Sequence, residues 1–178
     1  VTEGVEPPRS VFPRFRDGTL TNIREIDFPT VPGVGSPREL SAGVRVANPL
    51  VAEDGGMGRE LPLVVPRVDA DGHDLGGIRM PEVAVPLATA LGWVLRSEAA
   101  ASPHELYPLR GAWVPFARTK DERERMADPR LSVEERYGGR DVYLQRIEAA
   151  ARGLVERGFL IEGDVPVQVQ LAGDRWDW

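Results

Sequence analysis

The sequence predicts an α+β fold: a Pro/Gly-rich arm, then a β-hairpin, then C-terminal helices. Three observations predict it. The 16 Pro and 19 Gly crowd into the first two-thirds, too many for a helical bundle, and imply irregular connections that wrap around other elements. Asp69-Ala70-Asp71-Gly72 lies between two apolar runs, as a hairpin turn does. From Thr119 onward, apolar residues recur at helical spacing. The chain then divides into an extended wrapping arm (1–60), a hairpin with an apolar core segment (61–118) and a helical segment (119–178). All three belong to one domain or to part of a larger one.

The arm is extended where Pro7, Pro8 and Pro13 fix the backbone. Arg16-Asp17-Gly18-Thr19 reads as a turn, with Gly18 free to take a positive φ. Ile23, Ile26 and Phe28 are apolar anchors, Val44-Arg45-Val46 alternates like a short strand, and Glu53 to Arg59 is a loop. Leu61 to Val68 reads as a strand confined to an edge by Pro62 and Pro66, with its returning partner over Asp74 to Met80. Pro81–Val85 is expected to be extended and Pro86 to Leu91 helical, because Pro86 breaks any helix begun at Pro81. Ala112 to Phe116 reads as a short buried piece carrying Trp113.

Thr119 with Glu122 and Ser132 with Glu135 have capping-box spacing, so helices should run from Lys120 to about Met126 and from Ser132 to about Tyr137. The clearest helix spans Arg140 to Arg157. Its expected buried face carries Val142, Leu144, Ile147, Ala151, Leu154 and Val155, with Gly158 as its cap. Asp164 to Leu171 reads either as a last helix or, given Pro166, Val167 and Val169, as a strand.

Composition excludes several functions. The net charge of −6 argues against a nucleic-acid partner. The run Arg118 to Arg130 alternates with acids and reads as a solvated helix face. No stretch approaches the ~18 apolar residues of a membrane span. The absence of cysteine removes disulfides, thiol catalysis and thiolate metal sites, and leaves the compartment open. The chain opens on Val1 rather than Met, from which a processed or truncated start is expected.

The residues give no complete catalytic set. None of Ser10, Ser36, Ser41, Ser97, Ser102 and Ser132 sits in a Gly-x-Ser-x-Gly elbow. Gly33-Val34-Gly35-Ser36-Pro37 comes nearest, but Pro37 lacks the N–H that the elbow aims at an oxyanion. His73 and His104 both read as exposed loop residues. Asp69, Asp71, Asp74 and Glu82 include no singled-out glycosidase pair. Asp-x-Asp-Gly resembles the opening of a calcium loop, but the twelfth position is Met80 where that loop needs Glu, so a plain turn is preferred. The only Lys is Lys120 and no phosphate-loop motif occurs, so no cofactor or metal is expected. Arg79 and Glu82 flank Pro81 beside an apolar segment. If buried they must pair, with each other or with a ligand.

Several blocks carry a family resemblance: VTEGVEPPRSVFPRFRDGTL, VPRVDADGHDLGGIRMPEVAVPLATALGWVLR, and GAWVPFARTKDERERMADPRLSVEERYGGRDVYLQRIEAAARGLVERGFL. Together they resemble the C-terminal part of large bacterial alpha/beta-hydrolase-domain proteins. The resemblance implies a parent alpha/beta hydrolase fold and a serine hydrolase acting on carboxylic esters. It also implies that the nucleophilic Ser and the catalytic His lie upstream of Val1, so no triad residue maps onto this chain and it is inactive alone. Its partners would be the missing N-terminal hydrolase domain and a small-molecule ester. Arg79, Glu82 and Trp93, in the block that matches best, are the candidates to border the substrate pocket. The reading from another class is a non-catalytic module that binds a partner through exposed apolar surface.

Overall fold

A computed structural model of the chain describes residues 8–9, 11, 15–36, 44–45, 60–61, 63–97, 99, 105, 107 and 110–177. Pro7, Pro13, His104 and the Glu53–Arg59 loop lie outside them. A 3-10 turn (Phe15–Asp17) ends on Gly18 at φ 67° and delivers the chain into β1 (Leu20–Asn22). The Asn22 side chain then accepts from Arg24 N–H and caps a second 3-10 turn over Ile23–Glu25. Ile23 and Ile26 are buried as anchors. The short strand expected near Val44 forms as β2 (Val44–Arg45) and pairs with β3 (Glu60–Leu61).

The apolar run before the Asp-Gly turn yields β4 (Val64–Pro66), and its ladder partner is β1, with Leu20 opposite Pro66 and Asn22 opposite Val64. The expected returning strand over Asp74 to Met80 does not form. The hairpin is reduced to one bridge between Val68 and Asp74, with Leu75 N–H donating to the Arg67 carbonyl. Gly77, at φ 88°, turns the chain off the ladder, and Pro81 has no donor with which to resume it.

Order is reversed between Pro81 and Leu91 relative to expectation. Pro81–Ala84 is a single helical turn, α1, with Pro81 at its first position, where the missing N–H costs nothing. Ala88–Leu91 is β5, paired antiparallel with β6 (Ala112–Pro115). Pro86 sits between the two elements, so it breaks no helix. Ala88 and Thr89, which point to opposite faces of the strand, are both fully buried, so β5 is covered on both sides. Gly111 adjoins this ladder, and a Cβ there would stand 2.4 Å from the Leu91 carbonyl oxygen. Phe116 is buried, but Trp113 is 42% exposed, so it is not the core residue expected of it.

The helical half follows the capping signals. α2 (Lys120–Met126) begins at Thr119, whose hydroxyl accepts from Glu122 N–H, and α3 (Val133–Tyr137) carries a complete Ser132–Glu135 capping box. α4 (Arg140–Glu156) buries Tyr143, Ile147, Ala151 and Leu154. Val142, placed on the buried face by spacing, is instead exposed. The face is rotated by one residue so that the Tyr143 ring meets the core. The ambiguous last segment is a helix, α5 (Val165–Trp176), because Pro166 falls in its first turn. Tyr137, Tyr143 and Trp176 pack as an aromatic trio, with ring centroids 5.1 to 6.3 Å apart. Val85, Leu87, Phe116, Val133, Ile147 and Ala172 complete the core around it. None of the described helices is long and apolar enough to cross a membrane.

Charge at the centre contradicts the reading of Arg118–Arg130 as a wholly solvated face. Arg118 and Arg125 are exposed, but Arg130 and its partner Asp128 have side chains only 1% exposed. Arg130 bonds both Asp128 carboxylate oxygens, at 2.9 and 2.6 Å, and donates to Thr89 Oγ1 and to the Val114 and Pro115 carbonyls. The Phe116 ring lies 5.0 Å beneath the guanidinium. Removing one member of such a buried pair leaves an uncompensated charge. Asp128→Ala is therefore expected to lower unfolding free energy by about 3–5 kcal/mol in urea melts. Arg152→Ala, which breaks exposed pairs with Glu148 and Glu162, should move the urea midpoint far less.

Candidate functional site

The Asp-Gly turn is built by Asp69. Its Oδ1 accepts from the N–H groups of Asp71 (2.9 Å) and His73 (3.0 Å), an Asx turn, while Oδ2 binds the Arg79 guanidinium. Gly72 takes φ 86°, and a Cβ there would stand 3.0 Å from the Phe28 ring. Burial alone would raise the Asp69 carboxyl. The Arg79 guanidinium and the two N–H donors outweigh it and hold the carboxyl below its usual range.

His73 is 2% exposed, against the sequence expectation of a surface residue. Its Nε2 accepts from Ala90 N–H at 3.1 Å, so the proton of the neutral ring sits on Nδ1, which has no partner among the described residues. Burial pushes its pKa down. The Arg79 charge adds to that, and the Asp69 and Asp71 charges oppose it. A ring held this way cannot act as a base through Nε2 without giving up its bond to β5.

Asp71 is the junction of the site. Its carboxylate takes a two-armed ion pair from Arg136 of α3, and its carbonyl accepts from the Thr89 hydroxyl, which in turn accepts from Arg130. Arg136 also lies 4.2 Å from the Phe116 ring centre. The neighbouring helix ends are tied by Glu135, bonded to Arg123 and to the Ser132 backbone and hydroxyl. The Arg123 guanidinium and then the Ser132 contacts lower the Glu135 pKa to about 2.

Arg79, Val85, Leu131, Arg136 and Arg146 border a cleft of about 340 Å³ between the turn, α1 and the α3–α4 corner. Glu82 is not part of its lining. One of its oxygens, Oε2, is buried and accepts no hydrogen bond among the described residues. Burial, with a smaller contribution from the Glu82 charge, pushes the Tyr143 hydroxyl up to about 12. Trp93 stacks edge-on against Phe28 and borders a different, more apolar cavity of about 410 Å³ with Leu91 and Val114. Arg79, Glu82 and Trp93 are thus not brought together, and Arg79 is neutralised by Asp69 rather than by Glu82.

Asp69, Asp71 and His73 each offer a ligand atom within 4.8 Å of the others. A cation there would have to displace Arg79 and Arg136 from the two carboxylates, so the trio reads as a structural charge network. Among the described serines, Ser132 is the α3 cap, while Ser36 and Ser97 are exposed. The sequence reading missed Thr89, Asp128, Arg130 and Arg136. One signal was available for two of them: Asp-x-Arg ahead of a capping box, at the end of a charge run, where a purely solvated face needs no Pro129 kink.

His73 gives a pH test. The unfolded ring takes up a proton near pH 6.5, whereas the folded ring takes it up only at lower pH. Its stabilising contribution is therefore complete above pH 6.5 and is lost as pH falls below that value. Melting temperatures from pH 8 to pH 5.5 should fall for the wild type and change less for His73→Gln. Parallel profiles would show that the ring is not responsible.

No curated protein and no solved structure matches this chain. A family model described as the alpha/beta hydrolase domain matches residues 1–170. That span takes in the Asp69–Arg79 turn, the buried Asp128–Arg130 pair and the first half of the final helix. The chain belongs to the alpha/beta hydrolase domain family.

Proposed function

We propose that the chain serves a carboxylic-ester hydrolase, contributing a wall of the substrate pocket while the nucleophile and its base come from another segment of the enzyme. Family membership over residues 1–170 is the observation that carries the hydrolase reading. Geometry supports the supporting role. His73 Nε2 is engaged by Ala90 N–H, and the Ser132 hydroxyl is engaged in the α3 capping box. Arg79 is the candidate that faces a cleft. Its guanidinium is fixed by Asp69 and by the Asp74 carbonyl, and its side chain remains 31% exposed. A fixed, partly exposed guanidinium can orient a carbonyl or carboxylate oxygen at little entropic cost.

The second reading, a partner-binding module, is favoured by a separate open cleft of about 470 Å³ bordered by Leu87, Trp113 and Leu171. Trp113 and Leu171 are both 42% exposed there. Sedimentation and thermal melting of the chain alone separate the two readings. A monodisperse chain with a sharp melt favours the module, and self-association without a cooperative melt favours the hydrolase part.

The hydrolase reading is tested on the native gene product with p-nitrophenyl esters and a fluorophosphonate label. The label is expected on a serine outside residues 1–178, and Arg79→Ala should reduce kcat/KM of the folded fraction by about tenfold. Labelling of Ser36 or Ser97, or an Arg79→Ala variant that loses only stability, would sink the assignment.

A further inference from the structure

The cleft between the Asp-Gly turn and the α3–α4 corner is bordered by one guanidinium, that of Arg146, which has no carboxylate partner among the described residues. It is bordered by three acids, Asp69, Asp71 and Glu135, and by three bases, Arg79, Arg136 and Arg146. Asp69 pairs with Arg79 and Asp71 with Arg136. Glu135 is held by Arg123, which lies outside the lining, through contacts of 2.8 and 3.2 Å. Each acid of the cleft thus has a guanidinium partner, and Arg146 is not one of those partners. Arg146 has no carboxylate partner among the described residues; its guanidinium lies 5.5 Å from the Tyr137 ring centre. The lining also includes the side chains of Val83, Val85, Pro86 and Leu131.

We propose that this cleft binds a small organic monocarboxylate, with Arg146 as the anchor for its charge and the Val83–Pro86 wall against its apolar body. The proposal concerns binding by the cleft alone and holds whether or not the chain takes part in ester hydrolysis. A single unpaired guanidinium matches one negative charge, and its planar fork suits a carboxylate. A dianion is disfavoured because its second charge would face the Asp69, Asp71 and Glu135 carboxylates without a free cation. A neutral ligand would leave Arg146 unmatched. The volume of about 340 Å³ accommodates a short alkyl or single-ring body.

Isothermal titration of the native gene product with benzoate, benzamide and inorganic phosphate tests this. Benzoate is expected to bind saturably, and benzamide and phosphate at least tenfold more weakly. Arg146→Gln should weaken benzoate by tenfold or more, since a charge-assisted hydrogen bond is lost. Its melting temperature should be retained, because Arg146 is exposed and unpaired. Arg125→Gln, an exposed arginine outside the cleft, should bind benzoate as the wild type does. The proposal is overturned by absent benzoate binding, by phosphate or benzamide binding as tightly as benzoate, or by equal losses in the Arg146 and Arg125 variants.

Discussion

A buried cation in a protein interior is tolerable only when every one of its donors is used, and Arg130 shows what that demand does to a fold. Its donors reach Asp128, Thr89, Val114 and Pro115, which belong to the turn after α2, to β5 and to β6. Those segments must therefore stand in one arrangement, since any other strands the charge. The same arrangement hands Thr89 on to the Asp71 carbonyl and presents Asp71 to Arg136. The site cleft sits at the outer end of this chain of contacts. Its geometry is inherited from a pair of residues that do not line it.

Local signals were legible in the sequence wherever one short segment decides the outcome. The two capping positions, the Gly18 and Gly72 turns and the long α4 helix follow from neighbours a few residues apart. Helix or strand went wrong between Pro81 and Leu91, because Pro86 was weighed as a helix interior residue when it lies between two elements. The pairing of β4 also escaped the sequence. Its partner, β1, lies some forty residues earlier, and nothing in the adjacent Asp-Gly turn reveals that the return strand would be replaced by Gly76-Gly77. In the helical half, spacing found the right helix but the wrong edge of its face, since Val142 and Tyr143 differ by one position and only the aromatic trio decides between them.

The candidate site was legible in part. Arg79 was singled out and does border a cleft, though its counter-charge is Asp69 rather than Glu82. Trp93 and Glu82 belong with Arg79 to the block that carries the family resemblance. Trp93 packs edge-on against Phe28 and borders the second cavity, whereas Glu82 lines neither that cavity nor the Arg79 cleft. His73 illustrates the opposite error. A histidine beside a tight turn is ordinarily solvated, and here it is turned inward because the Ala90 N–H at the interior edge of β5 requires an acceptor.

Asp71 uses its two ends differently: the side chain faces α3 and the main-chain carbonyl faces β5. The carbonyl is present in any residue, but the carboxylate is not. A change at position 71 would thus preserve the strand contact while releasing the helix, and the reverse holds for a change at Thr89. Among relatives, positions 71 and 136 should then vary as a couple, whereas position 89 should follow position 130. The fold would carry two separable records of its ancestry through one residue.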